Sequence, residues 1–373
     1  MRGCFPHTEV NLLSFYDVRL LIHDYITILI YIYVTLKKNM KTIGYAASEP
    51  QGELKEFEYD LGPIGDHQVE VKVETCGICH SDVSMIDNLW GMTSYPFVPG
   101  HEIIGTIESM GSHVKHLHIG QRVGIGWESG SCGTCESCMG GRQNLCAGAI
   151  PTVLGPYGGF SERVRANAGF AIPIPASLDP AAAGPLLCGG ITVFSPMLEN
   201  NVRPTHRVGV IGIGGLGHLA IKFLRAWGCE VTAFSHSPEK EADAKEFGAH
   251  HFVNYSDPNA LTNFPNSYDY IISTVNKLED LTPFLITLRP KGKLVLVGVV
   301  VEPLKFGLFP MLVGEKVITA GSIGSPAAIA TMLDFAARHN ILPLTQTFKF
   351  SQINEAIKKI REGKIRYRAV LTR

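Results

Sequence analysis

The run Gly212-Ile213-Gly214-Gly215-Leu216-Gly217 restricts this chain more than any other stretch. Its G-x-G-x-x-G spacing follows an apolar run at 207–211 and precedes an amphipathic segment at 218–228. The first glycine permits a tight turn, the second lets a pyrophosphate approach the backbone, and the third lets the helix pack closely on the strand. A chain with 39 glycines can produce this spacing by chance, so the flanking segments carry the argument. With a strand before it and a helix beginning near Leu216, orphan N–H groups and the helix dipole face an anion. The segment is expected to bind a dinucleotide.

The remaining sequence arranges itself around that turn. Residues 40–187 alternate short β-branched stretches (69–75, 101–110, 121–126, 160–166) with Gly/Pro turns, which reads as a compact, mostly-β domain. Residues 188–324 alternate strands (207–212, 230–235, 251–255, 268–274, 293–298, 317–322) with helical stretches. That is the signature of a parallel sheet covered on both faces, so the expected class is α/β with two domains. Beyond Ser325, helical segments at 327–339 and 353–363 and a terminal strand at 367–372 are expected to return to the first domain. The length of 373 residues and a hydrophobic fraction of 45% suit two domains with large cores. Lys and Arg number 33 and Asp and Glu 34, a balance that argues against a nucleic-acid or anionic-membrane partner held by bulk charge.

Residues 1–39 differ from everything that follows. The stretch 20–36 is apolar but interrupted by His23 and Asp24, and its uninterrupted part is shorter than the roughly 20 residues of a membrane span. A membrane anchor flanked by Lys37 and Lys38 is the alternative; the favoured expectation is a functional chain beginning at Met40, without a membrane association and located in the cytoplasm.

The strand after the glycine turn selects the dinucleotide. An NAD site places an acidic residue about twenty positions beyond the glycines. Here that strand ends in Ser235-His236-Ser237, followed by Pro238-Glu239-Lys240, with no carboxylate at its tip. The Ser235 and Ser237 hydroxyls and the Lys240 ammonium could bind a 2′-phosphate, which favours NADP(H) over the alternative of a merely solvated turn.

Cys132, Cys135, Cys138 and Cys146 place four thiols within one Gly-rich loop. Such a set can close a tetrahedral shell around zinc. Two disulfides or an iron–sulfur cluster are the other options; reduced intracellular thiols and an isolated loop favour zinc. A second group is dispersed: Cys79 and His80, His101 and Glu102, and Cys188. Spacing alone does not join these residues.

Taken together, the segments around Cys79, His101 and Cys188, the four-cysteine loop and the glycine turn occur in the order found in zinc-dependent medium-chain alcohol dehydrogenases. The chain resembles the cinnamyl-alcohol dehydrogenase branch of that family, and within it bacterial NADP-dependent broad-range aldehyde reductases, over nearly all of 40–373. The resemblance implies a GroES-like mostly-β catalytic domain at 40–187, rejoined by 325–373, and a Rossmann doubly wound domain at 188–324. It implies a catalytic zinc on Cys79, His101 and Cys188 with Glu102 as the carboxylate that can transiently join it, and a structural zinc on Cys132, Cys135, Cys138 and Cys146. Asp82 would orient the histidine ligand and Ser81 would pass the substrate proton. In many relatives a histidine follows three residues after that hydroxyl; here Ser84 stands there, leaving water or His80 for the exit route, although relatives use the position of His80 to contact the pyrophosphate. Thr192, the stretch Val297-Gly298-Val299 and the turn Ser322-Ile323-Gly324 match positions near the nicotinamide.

The implied activity is reversible reduction of aldehydes to primary alcohols with NADPH over a broad aliphatic and aromatic range. Alternatives are a non-catalytic dinucleotide-binding protein of the same fold and a polyol or secondary-alcohol dehydrogenase. Leu89, Trp90, Trp127 and Pro156-Tyr157 are candidates for an apolar substrate channel. A homodimer joined edge to edge through the cofactor domains is expected by analogy. His113, His116 and His118 read as a solvated turn, and Cys76 and Cys229 as core.

Overall fold

The computed structural model describes residues 41–373 apart from Pro156 and Pro258. The expectations for residues 1–39 and for Pro156 lie outside the described residues.

Alternation of buried and exposed side chains builds the first sheet. Strands β1 (Gln68–Ile78), β2 (Glu102–Met110), β3 (Arg122–Ile125), β4 (Arg163–Asn167) and β5 (Ile172–Pro173) pair antiparallel: β1 with β2 and β4, β3 with β2 and β5. Val69, Val71 and Val73 of β1 are buried, so each second side chain enters the core as a half-buried pleat requires. Two bulges in the β1–β2 ladder bend this pair. The short helix α1 (His80–Ile86) leaves the end of β1 directly after Cys79.

The second sheet is parallel throughout. Strands β6 (Arg207–Ile211), β7 (Glu230–Ser235), β8 (His251–Asn254), β9 (Tyr268–Ser273), β10 (Leu288–Leu296) and β11 (Val317–Ala320) lie in the order β8-β7-β6-β9-β10-β11. This is the order 3-2-1-4-5-6 of a doubly wound dinucleotide fold, and its reversal falls between β6 and β9. Val208, Val210 and Ile211 of β6 and Ile271 and Ile272 of β9 are fully buried, as expected of central strands covered on both faces. Helix α2 (Gly189–Glu199) begins just after Cys188, and α3 (Gly217–Trp227) begins inside the glycine run and ends on the left-handed Gly228.

Helix α4 (Leu308–Gly314) connects β10 to β11, and α5 (Pro326–His339) follows the parallel sheet and precedes the closing strands. Met332, Leu333 and Phe335 of α5 share a buried cluster with Phe194 and Met197 of α2. Strands β12 (Thr345–Lys349) and β13 (Arg368–Thr372) then extend the first sheet, with β13 antiparallel to β1. Among the described residues no single helix is long and apolar enough to cross a membrane.

Candidate active site

Three elements far apart in the chain bring a donor set together. Cys79 follows β1 and caps α1, His101 immediately precedes β2, and Cys188 caps α2. All three are buried, and their ligand atoms and one carboxylate oxygen of Glu102 lie within 4.8 Å of one another. His101 Nε2 is 3.3 Å from Cys188 Sγ, and Cys188 Sγ is 3.9 Å from Cys79 Sγ. A tetrahedral zinc with sulfur ligands at about 2.3 Å and nitrogen at about 2.0 Å needs edges of about 3.8 Å between sulfurs and about 3.5 Å between sulfur and nitrogen. The donor set therefore fits zinc in both chemistry and spacing.

The carboxylate of Asp82 organises this cluster. Its Oδ1 accepts from His101 Nδ1 at 2.8 Å and from the Gly100 N–H at 2.9 Å, while Oδ2 accepts from the Cys79 N–H at 2.8 Å. With Nδ1 donating, Nε2 presents its lone pair toward the two sulfurs. Burial works against a charged His101, yet the Asp82 carboxylate outweighs it and raises the imidazole well above its ordinary value. The hydrogen bond from Cys188 holds the Cys79 thiol well below the usual range. Glu102 stands beside the cluster: Oε1 accepts from Arg368, and Oε2 has no hydrogen-bond partner among the described residues. Burial pushes its carboxyl up and the guanidinium opposes that rise.

Four thiols meet again on the loop at 131–148. Cys132 Sγ is 3.9 Å from Cys138 Sγ and 3.5 Å from Cys146 Sγ, and the ligand atoms of all four cysteines lie within 4.8 Å of one another. Backbone N–H groups point at sulfur, from Cys135 to Cys132 at 3.4 Å and from Gly148 to Cys146 at 3.3 Å. The N–H groups of Thr134 and Cys135 bring the Cys132 thiol down to about 6. Four cysteine sulfurs gathered on one loop, with the Ser131 and Thr134 hydroxyls beside two of them, have the character of a closed zinc site.

A single cleft of about 1460 Å³ links the donor cluster to the glycine turn. Cys79, His80, Ser81, Cys188 and Thr192 line it at one end; Gly212, Gly214, Gly215 and Leu216 form its floor; Ser235, His236, Ser237 and Lys240 line the far end. Val297, Gly298, Val299, Ser322 and Ile323 close the side. Gly212 has φ +88°, where a side chain would be strained, and a Cβ on Gly217 would stand 1.9 Å from Gly212 O. Gly217 is thus a packing residue beneath the cleft, while Gly214 faces open space into which an anion fits. Because the cleft sits at the ends of β6 and β9, it occupies the switch point of the sheet.

Some expectations change in detail. Lys240 lines the cleft, but its Nζ donates to Ile213 O at 2.9 Å rather than reaching toward the serines, and Ser235 Oγ accepts from Ser237 N at 3.1 Å. Trp127 packs edge-on against His101 and Trp90, with ring centroids 4.8 and 6.3 Å apart. Leu89 and Trp90 line the cleft with it. Tyr157 instead packs on Phe57 and Tyr59, away from the cleft lining. Among the lining residues that sequence reasoning missed are two charged ones next to the donor cluster's end of the cleft: Arg368, visible only as one basic residue in an apolar terminal strand, and Glu128, an acid beside Trp127.

The glycine-turn unit and the β unit each match a known family. The Zinc-binding dehydrogenase profile covers residues 215–338, and the Alcohol dehydrogenase GroES-like domain profile covers 65–176. An aldehyde reductase, AdhA, of Synechocystis sp. is 54% identical over 329 residues, spanning 88% of this chain and 98% of that protein. The chain belongs to the zinc-binding alcohol dehydrogenase family. Its fold is accordingly α/β, a GroES-like domain joined to a Rossmann domain. Among solved structures, a cinnamyl alcohol dehydrogenase of Sorghum bicolor is similar to this dehydrogenase with a TM-score of 0.86 and 36% identity, covering 89% of this chain and 98% of that one. A cinnamyl alcohol dehydrogenase of Helicobacter pylori, solved with NADP(H), has a TM-score of 0.82 and 30% identity, over 89% and 98% of the two chains.

Proposed function

We propose that this dehydrogenase reduces aldehydes to primary alcohols, reversibly, with NADPH. The observation that carries this reading is the shared cleft: two thiols of the buried donor cluster and the glycine turn face one cavity, so a reductant on the turn and a carbonyl at the cluster would meet. In this reading Cys79, His101 and Cys188 hold a catalytic zinc with Glu102 beside it, and Cys132, Cys135, Cys138 and Cys146 hold a structural one. When bound, zinc supplies a Lewis acid toward the carbonyl oxygen and the reduced dinucleotide supplies hydride.

The chain's own residues do the rest. Asp82 fixes the tautomer and direction of His101. Leu89, Trp90 and Trp127 keep water from the apolar end of the cleft. Ser81 Oγ lies 3.7 Å from Cys79 Sγ on the cleft wall, placed to give the product oxygen its proton. Ser84, one turn later on α1, lines the same wall and offers the next hydroxyl, with His80 at the mouth. Thr192, Val297, Gly298, Ser322 and Ile323 line the cleft where the nicotinamide would lie. The Ser235–Ser237 turn lacks an acidic group that would repel a 2′-phosphate, and NADPH fits it better than NADH.

The same reading assigns residues 40–187 and 325–373 to the catalytic unit and 188–324 to the cofactor unit; β12 and β13 joining the first sheet support it, although α5 packs on α2. A homodimer is supported by the open edge at β11, where Val317 is exposed beside Leu308, Phe309, Leu312 and Val313 of α4. A cytoplasmic location fits two clusters of thiol ligands, which a reducing compartment keeps available to a metal.

The test is NADPH absorbance with a panel of aliphatic and aromatic aldehydes on metal-loaded protein. Oxidation of NADPH by several aldehydes is expected. Dinucleotide binding without turnover on any of them would overturn the assignment.

A further inference from the structure

Glu128 is the acid this reaction leaves without a task. It opens the short strand Glu128–Gly130, directly after Trp127, and its backbone pairs with Pro151. Only 9% of the residue is exposed, and it lines the cleft beside Trp90, Trp127 and Ile323. Its other surroundings are apolar: Phe170, Ile172, Leu187 and Ile329 border the narrow cavity on which it also abuts.

The other buried acids among the described residues each have a partner. Asp82 accepts three hydrogen bonds, Glu102 is paired with Arg368, and Glu70 with Arg165. No described residue hydrogen-bonds to the Glu128 carboxyl or neutralises it; burial alone acts on it and pushes it up to about 7. Asn144, an amide lining the same cleft, donates its Nδ2 to Ile323 O at 2.8 Å. A carboxyl that is largely buried, borders the cleft and has no partner among the described residues is free to bond whatever polar group enters the cleft.

We propose that Glu128 anchors a hydroxyl at the far end of the substrate, so that the preferred substrates are hydroxyl-bearing aldehydes. The inference rests on the reductase reading and names the substrate class for the same cleft. A hydroxyl both donates and accepts, and therefore meets the acid in either protonation form, whereas an ammonium meets only the ionised one. Trp90 and Trp127, which line the cleft with Glu128, offer apolar surface to the body of such a substrate. Sites built to hydrogen-bond a substrate hydroxyl reject the analogue lacking it far more strongly than an apolar pocket rejects an added methylene.

The experiment compares kcat/KM for an aldehyde bearing a terminal hydroxyl with that for its deoxy analogue of equal length. It uses metal-loaded wild type, Glu128→Leu and Glu128→Gln. Wild type is expected to favour the hydroxyl compound roughly tenfold or more, mostly through KM. Glu128→Leu should lose that preference while reducing the deoxy analogue at least as well, and Glu128→Gln, which keeps an oxygen acceptor, should retain part of it. Equal use of both aldehydes by wild type, or a ratio unchanged in both variants, overturns the anchor and leaves the reductase reading intact. No NADPH consumption with either aldehyde overturns both.

Discussion

The guanidinium of Arg368, on the last strand, donates to Oε1 of Glu102 across 266 positions of sequence, and both side chains are buried. The same guanidinium lies 3.0 Å from where a Cβ on Gly215 would stand. One residue near the chain's end thereby connects the carboxylate next to His101 with the floor of the dinucleotide cleft. The pairing compensates a charge at the one point where the donor cluster, the terminal strand and the glycine turn converge.

Removing that compensation should be costly. Arg368→Met leaves Glu102 buried without a counter-charge and is expected to destabilise the metal-loaded protein by about 3–5 kcal/mol in urea unfolding. A loss below about 1 kcal/mol would show that Glu102 needs no partner there.

The two metal clusters should separate under mutation. Cys188→Ala is expected to abolish aldehyde turnover and lower zinc content from two ions per chain to one, with the far-ultraviolet spectrum unchanged, because the four-cysteine loop shares no ligand with the cleft. Retained turnover in this variant would remove Cys188 from the ligand set.

The proposed reading puts cofactor choice in the charge at the tip of β7. Ser235→Asp places a carboxylate where the 2′-phosphate of NADPH would lie and should lower the NADPH-to-NADH preference by roughly tenfold or more. An unchanged ratio would sever this turn from dinucleotide selection.

His218 should make stability depend on pH. It is buried on α3, its Nδ1 donates to Gly214 O at 2.9 Å, and its Nε2 accepts from Leu344 N at 3.3 Å, an arrangement that requires the neutral ring. Burial, partly offset by the bond to Gly214, lowers its pKa to about 3. The unfolded chain takes up a proton near 6.5 that the folded chain refuses until about 3, so stability is fully present above pH 6.5 and falls as pH drops through that window. The slope due to this residue is about 1.4 kcal/mol per pH unit. His218→Gln should be less steep than wild type by that amount in urea titrations between pH 4 and 6; parallel curves would show that His218 is charged in the folded state.

Much of the scaffold was legible because it depends on neighbours in sequence. The apolar run at 207–211 forms β6, and the stretch at 101–110 forms β2 from Glu102 onward. Strand β12 was not legible: of Thr345–Lys349 only Phe348 is buried, so an edge strand with one inward side chain leaves no alternating pattern. The pair Thr42–Ala46 and Lys55–Tyr59 escaped for a similar reason, since one of its strands is largely exposed.

What the chain alone determined were the features made by contiguous residues: the glycine turn, whose geometry follows from missing Cβ atoms, and the four-cysteine loop, whose ligands lie close together along one segment. Tertiary structure decided the meeting of Cys79, His101 and Cys188, the pairing of Glu102 with Arg368, and the solitary place of Glu128 on the cleft wall. These depend on where separate strands and helices stop in space, and no local spacing encodes that. Family resemblance supplied the first of the three in advance, whereas the other two emerge only when burial and partners are counted atom by atom.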